Sequence, residues 1–411
     1  MKKKGIIALI CSVLLLHSIT FAASWNEILK YAESHNEDIL SAKKTAEIYD
    51  WQYKNALTNF LPQISLSAGI TKSYTNNLET TSSQYGLSLS QTLFSGFGNI
   101  NQAKKAFLQI NYYKSLYNQQ KSDALYQVRN AYISLLISQK ELSLLQKIYG
   151  RREENTKLVK LLYENGKEDI GNYLQTQADL ENARVQIDEA KRNLDLAKTN
   201  LSNLIGVKIE KIDDEPLLES ITENKKIDFD KLLENSPKYL AANYIYEMSK
   251  IDVSQAASQF LPMVGLNASL KKTGSSWPPQ IDSPSWSITM SYSIFDGGSN
   301  IINLIEKNLS VEKAKTDLEK TRKELMYNLI YAYNNLLNKL DELKVREKYL
   351  TAASERAKIA RMKYMNGLLS YYEWDNVENT YITAEKEMLT GQKNSLLSQA
   401  QWENSYGGWV K

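Results

Sequence analysis

The chain has 411 residues, of which 43% are hydrophobic, with 50 lysines and arginines against 47 aspartates and glutamates. This near-neutral balance excludes the strongly basic footprint of a nucleic-acid-binding protein. One cysteine and two histidines cannot build a histidine–cysteine metal centre, so the sequence predicts neither a metal site nor a cofactor.

Residues 1–22 have the pattern of a secretory signal peptide. A basic start at Lys2 precedes an apolar run over residues 6–16, and a small-residue cleavage pattern ends at Ala22. Removal of the signal takes away the only cysteine, Cys11, and one of the two histidines. The sequence therefore predicts an exported protein without a thiol.

The next predicted element is a helix over residues 36–59. After Pro62 the hydrophobic spacing changes to the two-residue period of strands, and it keeps that period as far as Phe94. Apolar residues on one face of this strand hairpin, residues 62–94, alternate with small neutral residues on the other. The neutral positions are Ser65, Ser67, Thr71, Ser88, Ser90 and Thr92.

The strands have the features of membrane-crossing strands. Each run is about 9 to 11 residues long, enough for a tilted strand to cross a bilayer. Phe60 and Phe94 mark one end and Tyr74 and Tyr85 the other, as in interfacial aromatic girdles. The polar residues 73–84 are predicted as the hairpin loop. A soluble sandwich is the alternative, but its wet face normally carries charges, which the small neutral face lacks.

A very long helix is predicted over residues 99–164, because no proline interrupts residues 99–215. At about 1.5 Å per residue it would reach about 100 Å. A turn near Gly166 leads to a shorter helix over residues 170–205. The two short helices of this half together match the long one if they stack end to end beside it. Residues 207–228 are predicted as a charged linker.

The second half of the chain repeats the first at an offset of about 200 residues. Phe60-Leu61-Pro62 returns as Phe260-Leu261-Pro262, and Tyr163-x-x-Gly166 returns as Tyr364-x-x-Gly367. We therefore predict a first repeat over residues 23–206 and a second over residues 229–411. The elements predicted in the second repeat are a helix over 237–259, a strand hairpin over 262–295 with its loop at 273–284, a helix over 300–365, a turn near Gly367 and a helix over 369–406.

The second strand hairpin has the same two-faced pattern. Its small neutral positions are Asn267, Ser269, Ser287, Thr289, Ser291 and Ser293. Trp277 and Trp286 are its aromatic residues at the loop end.

The number of strands predicts the assembly. Four strands cannot close a membrane barrel, since the smallest known barrels have about eight, and open sheet edges are not tolerated in lipid. We therefore predict a mixed α and β membrane protein, a homotrimer whose twelve or so strands share one transmembrane β-barrel. A long antiparallel α-helical coiled-coil barrel would continue it.

The Phe-Leu-Pro entry to each hairpin, the Phe-x-Gly exit, the Tyr-x-x-Gly turn and the duplication resemble the TolC family of outer-membrane efflux proteins over essentially the whole mature chain. The resemblance implies a passive trimeric exit channel of a tripartite efflux or type I secretion system, in the outer membrane of a Gram-negative bacterium. It implies a long periplasmic tunnel, contact with outer-membrane lipid, and two partners: a periplasmic adaptor (membrane fusion) protein and an inner-membrane transporter that open the channel.

The same resemblance locates the periplasmic aperture at the two helical turns. Tyr364 matches the family's aperture tyrosine, and Glu373 falls where an acidic ring residue is expected. The other residues carried over by position are Tyr163, Gly166, Asp169, Gly171, Asn172, Gly367 and Leu369.

Two departures remove the family's usual polar gate. Gly171 and Asn172 stand where a threonine–aspartate pair often ties the first turn, and Leu369 replaces an arginine. Glu168 and Asp375 are candidate substitutes together with Asp169, but a solvated carboxylate is the expected state of both.

Two other classes of protein fit the sequence less well. An enzyme would depend on His35, the only mature histidine, and Gly96-Phe97-Gly98 lacks the third glycine of a phosphate loop, so we predict no enzymatic activity. A periplasmic coiled-coil adaptor without a pore would explain the helices. It would not need two hairpins with a neutral face between aromatic ends.

Overall fold

The computed structural model describes residues 22–75, 78–212 and 227–410. The predicted signal, except for its last residue, lies outside the described residues, as does most of the predicted linker, residues 213–226. Eight α-helices are described: α1 (Trp25–His35), α2 (Glu37–Leu57), α3 (Gly98–Glu164), α4 (Ile170–Ile205), α5 (Phe229–Glu234), α6 (Pro237–Ala257), α7 (Ser299–Met365) and α8 (Tyr371–Ser405).

Six strands accompany them. They are β1 (Ala22–Ala23), β2 (Gln63–Thr75), β3 (Leu78–Ser95), β4 (Lys211–Ile212), β5 (Met263–Gly274) and β6 (Ile281–Ser291). β1 and β4 form a short parallel pair, and the other four form an antiparallel sheet in the order β2-β3-β5-β6.

Side-chain hydrogen bonds mark the starts of the two long helices, α3 and α7. The Ser95 hydroxyl accepts a hydrogen bond from the Asn99 amide at 2.9 Å at the start of α3, and Asp296 accepts one from the Asn300 amide at 2.7 Å at the start of α7. Each helix then runs for 67 residues without a proline. Within the described ranges, none of the helices has the length and hydropathy of a membrane-spanning helix.

The chain folds into two compact units, and each unit takes residues from both halves of the sequence. The first unit contains the described residues of 1–36, 124–225 and 334–401, and the second those of 37–123, 226–333 and 402–411. In the first unit α1, α3 and α4 share a core in which Ile28, Val128, Leu135 and Leu201 are fully buried. Ring contact between Trp25 and Tyr132 joins α1 to α3.

The sheet, which lies in the second unit, has one apolar face and one neutral face. Directly paired residues share a face, and the register places Leu66, Leu87, Leu270 and Pro284 in one row across all four strands. We call this side the apolar sheet face. It is open in the single chain, since Leu66 is 75% exposed and Leu270 67%. Its other members are Ile64, Ala68, Ile70, Leu89, Val264, Leu266, Ala268, Trp286, Ile288 and Met290.

The strands are longer than predicted. β2 and β3 run to within two residues of each other, so most of the predicted loop 73–84 is strand. β5 extends to Gly274 and β6 begins at Ile281, so the predicted loop 273–284 shrinks in the same way. The loops were predicted too long because their residues are polar, and polar residues were assigned to loops although they also occupy strand positions.

Three further details of the strand prediction are wrong. Ser293 is not a strand position, because β6 ends at Ser291. Tyr85 and Trp286 do not mark strand ends, since they pair inside the sheet with Ala68 and Ala268 respectively.

Candidate functional site

The two helical turns predicted to form the aperture lie in the first unit and have the same backbone. In the first turn, residues 165–169, the Gly166 amide donates to the Tyr163 carbonyl at 2.9 Å and the Lys167 amide to the Leu162 carbonyl at 2.9 Å. In the second turn, residues 366–370, Gly367 and Leu368 repeat the pattern at 3.0 and 2.8 Å. Both are Schellman closures.

Glycine is required in both closures. Gly166 has φ +68° and Gly367 has φ +72°, in the left-handed region that residues with a Cβ avoid. No other atom lies within 4 Å of a Cβ built at either position, so the requirement comes from the backbone alone.

Polar groups hold the first turn. The Asp169 carboxylate caps α4 by accepting from the Asn172 amide at 2.9 Å. The Asn172 side chain donates to Asp169 at 3.0 Å and to Glu168 at 2.7 Å. Gly171 leaves room for this cap, since a Cβ there would lie 3.0 Å from Asp169 Oδ1.

The second turn has a capping box at the start of α8. Glu373 accepts from the Ser370 hydroxyl at 2.7 Å and from its amide at 3.1 Å, while the Ser370 hydroxyl accepts from the Glu373 amide at 3.3 Å. These bonds to Ser370 lower the pKa of the Glu373 carboxyl. In the single chain, this exposed carboxylate therefore stabilises the start of a helix.

Aromatic packing lies beside the second turn. Five buried residues form what we call the turn cluster: Val159, Ala360, Tyr364, Tyr371 and Trp374. The rings of Tyr364 and Trp374 stack with their centroids 4.4 Å apart. Leu369, at the position where the resemblance expects an arginine, packs against this cluster as a hydrophobic residue.

One hydrogen bond joins the two turns. Tyr364 Oη donates to Glu168 Oε2 at 2.6 Å. Burial raises the pKa of Tyr364, and the bond to Glu168 raises it further, so the phenol stays protonated and remains a donor. The expectation that Glu168 is simply solvated is wrong, because its two oxygens accept from Tyr364 and Asn172.

Arg152 joins three helices a few turns away. Its guanidinium lies 3.1 Å from Asp375 Oδ1 on α8 and 3.7 Å from Asp179 Oδ2 on α4, and it donates to Asn379 at 2.5 Å. Burial raises the pKa of Asp179, and Arg152 opposes that rise. Asp375 is thus paired, contrary to the expectation that it is solvated.

A second arginine makes a parallel connection. Arg151 binds both carboxylate oxygens of Glu385, lies 3.2 Å from Glu378 Oε1 and covers the ring of Tyr381. The sequence analysis missed both arginines. The available signal was the spacing of the acidic residues on α8 at positions 375, 378 and 385, which puts them on one helix face.

The structure brings most of the predicted aperture residues together and leaves Tyr163 apart. Tyr163 is 37% exposed and stacks on Tyr173, whereas Tyr364 is 4% exposed. A cavity of about 880 Å³ lies between the turns, lined by Glu168, Asn172 and Tyr364 among others.

The neutral strand positions share the face opposite the apolar sheet face. Pairing links Ser65 to Ser88 and Ser88 to Ser269. The register puts the remaining neutral positions of β2, β3, β5 and β6 on the same face: Ser67, Thr71, Ser90, Thr92, Asn267, Ser287, Thr289 and Ser291. We call this side the neutral sheet face.

Comparisons with known proteins agree with this architecture. The profile of the family described as outer membrane efflux protein matches residues 28–207 and 229–408. The alkaline protease secretion protein AprF of Pseudomonas aeruginosa is 23% identical over 325 residues, which are 77% of this chain and 67% of that protein. The outer membrane efflux protein BepC of Brucella suis is 21% identical over 58% of this chain, and the match spans only about half, 52%, of its own length.

Among solved structures, that of CusC superposes with a TM-score of 0.83 at 16% identity, covering 95% of both chains. At this identity the likeness concerns the fold.

Proposed function

Because the chain belongs to the outer membrane efflux protein family, we propose that it is the outer-membrane exit channel of a tripartite efflux or type I secretion system. The two-faced sheet carries this proposal. One face is apolar and exposed, as lipid requires, and the other is polar and uncharged except for Lys271 near the hairpin end, as a water-filled passage requires.

The sheet edges support a trimer. β2 and β6 each pair on one side only within the described sheet, and lipid does not tolerate such edges. Three copies joined edge to edge form a barrel of twelve or so strands with the neutral sheet face inside. α7 has an exposed apolar row that the neighbouring copies cover, formed by Ile301, Ile302, Ile305 and Leu309.

The two turns form the closed periplasmic aperture in this proposal. The Tyr364–Glu168 bond and the Arg152 network connect the hairpin of α3 and α4 to that of α7 and α8. An adaptor protein and an inner-membrane transporter open the channel by separating these hairpins. AprF is named for secretion of a protease and BepC for efflux, so the two relatives represent both kinds of transport in the proposal.

Two matched pairs of substitutions test the assignment of the sheet faces. Leu89→Arg and Ile288→Arg put a charge on the apolar sheet face, where a mid-bilayer arginine costs about 2 to 4 kcal/mol per chain. Ser90→Arg and Thr289→Arg put the same charge one residue away, on the neutral sheet face. We expect the first pair to lower outer-membrane yield far more than the second. Equal yields would refute the assigned faces.

Fractionation and mass measurement test the location and assembly. We expect the protein to require detergent for extraction from the outer membrane and to have the mass of three copies. Release by osmotic shock would favour a periplasmic adaptor, and a stable monomer in detergent would contradict the shared barrel.

A further inference from the structure

A groove of about 470 Å³ crosses the apolar sheet face. Leu66, Leu87, Leu270 and Pro284 line it, one from each strand of the sheet, and they form the row described above. Its other lining residues are Tyr85, Gly86, Lys271, Lys272, Asp282 and Ser283, so the groove combines an apolar row with polar and charged groups towards the hairpin end. A groove of this kind accepts a flexible hydrocarbon chain, because an acyl chain packs against apolar side chains there without leaving a polar group unpaired.

Polar and aromatic groups gather at one end of the groove. Lys272 pairs with Tyr85 on β3 and with Asp282 on β6, and its Nζ lies 3.3 Å from Asp282 Oδ1. The Trp277 ring meets the Tyr85 ring edge-on at 5.8 Å and is 53% exposed. This is the end where the chain turns from β5 into β6.

A second cluster of the same kind lies at the other hairpin. Lys72 Nζ is 2.8 Å from Glu79 Oε1, and Tyr74 Oη donates to Glu79 at 3.2 Å. Both lysine pairs are exposed at the surface. Exposed ion pairs contribute little to stability, so a stronger anion can replace either carboxylate at its lysine.

A second copy of the chain does not fit the groove. Copies joined through β2 and β6 meet at the edges of the sheet, whereas the groove runs across all four strands. The assembled barrel therefore leaves the groove open to the membrane. The helices α2, α3, α6 and α7 join the strands at the ends opposite the two hairpins, so in the proposed channel the hairpin end lies in the outer leaflet.

We propose that this groove is a specific site for an outer-leaflet glycolipid that carries phosphate on its sugar head group. An acyl chain lies between Leu87 and Leu270, the phosphate binds Lys272, and the sugar ring packs against Trp277 and Tyr85. The inference rests on the proposed function, since it needs the apolar sheet face to meet lipid.

Lipid retention by the purified full-length protein tests the site. The protein in detergent is incubated with hexa-acylated diphosphoryl lipid A or with dioleoyl phosphatidylglycerol, a phosphate lipid without a sugar ring, and retained lipid is counted by native mass spectrometry. We expect retention of lipid A to exceed that of phosphatidylglycerol by about fivefold. Both lipids offer a phosphate to Lys272, but only lipid A also offers a sugar ring to Trp277 and Tyr85.

Variants separate the two contacts. Lys272→Gln should lower lipid A retention by about fivefold, and Asp282→Asn should leave it unchanged or raise it, because the competing carboxylate is gone. Trp277→Leu should lower retention of lipid A and leave that of phosphatidylglycerol unchanged. Lys315→Gln, an exposed lysine on α7, is the matched control.

Two results would overturn the site: wild-type retention of lipid A in Lys272→Gln, or equal retention of both lipids by the wild-type protein. Either result in a protein that extracts from the outer membrane as a trimer refutes the lipid site alone. Failure to reach that membrane refutes the proposed function.

Discussion

The two helical turns share a backbone but are held by different side chains. Both close through a glycine with positive φ and the same pair of hydrogen bonds. Yet Tyr364 is buried, stacked on Trp374 and bonded to Glu168, whereas the equivalent Tyr163 is exposed beside Tyr173. The Tyr-x-x-Gly signature therefore specifies how the chain turns, and the neighbouring helices decide which tyrosine ties the turns together.

The largest difference is expected between alanine substitutions of the two tyrosines. Tyr364→Ala empties a buried aromatic site and removes the bond to Glu168, which together should cost about 3 to 5 kcal/mol of local stability. Tyr163→Ala should cost less than about 1 kcal/mol. Amide hydrogen exchange over residues 160–175 measures both, and single-channel conductance in planar bilayers should rise only in Tyr364→Ala. Similar exchange in the two variants would mean that the turns are held alike.

Substitution of Arg152 tests whether side-chain contacts beyond the turns also join the two helical hairpins. Arg152→Met leaves Asp179 and Asp375 without their shared cation and should cost about 2 to 3 kcal/mol. The loss should be smaller at mildly acidic pH. Burial raises the pKa of Asp179 and Arg152 opposes that rise, so the folded variant takes up the proton at a higher pH than the folded wild type and regains more stability as the pH falls. Thermal unfolding of the variant at two pH values checks this, and a loss that does not depend on pH would contradict it.

The glycines test the shared backbone. Gly166→Ala and Gly367→Ala each place a Cβ in the left-handed region and should each cost about 1 to 2 kcal/mol. No neighbouring atom adds to this strain at either position. Equal shifts in the exchange protection of the two turns are therefore expected. A difference of more than about 1 kcal/mol would show that the two closures are not equivalent.

The smallest effect is expected at Glu373. The folded-state pKa is lowered, so the stability that its carboxylate gives α8 is present at neutral pH and is lost as the pH falls through that lowered value. Glu373→Gln keeps the capping box and should abolish this pH dependence. If three such carboxylates ring the aperture, the variant should also reduce cation preference in planar bilayers. Unchanged selectivity would place the charged constriction elsewhere, near Asp169 and Asn172.

Much of the helical architecture could be predicted from the sequence, because helix bounds depend on residues that are close together in the chain. The helix predicted over residues 170–205 coincides with α4, and the long helix predicted from residue 99 begins at Gly98. Local residues set these boundaries: Asp169 caps the start of α4, Gly206 with φ +69° ends it, and α3 begins at Gly98. The strand ends were less readable, since Pro284 lies inside β6. Proline is tolerated there because β6 is an edge strand of the sheet within one chain.

The side-chain contacts between helices could not be predicted from local rules. Tyr364 and Glu168 are 196 residues apart in sequence, and Arg152 and Asp375 are 223 apart. Which faces of the four helices meet depends on the packing of α3, α4, α7 and α8 as a whole. The family pattern could not supply these contacts, because this chain has Leu369, which packs against the turn cluster, where the resemblance expects an arginine.

The division of the chain into two interleaved units has a consequence for how the protein is made. Each unit needs three separate stretches of sequence, and the first is incomplete without residues 334–401 while the second is incomplete without residues 402–411. Contacts between distant segments form slowly, since their loops must close first. A chain that emerges from the translocation machinery amino end first can finish the first unit only after residues 334–401 have arrived, and the second only after residues 402–411. Until then the exported chain remains a substrate for periplasmic chaperones and proteases.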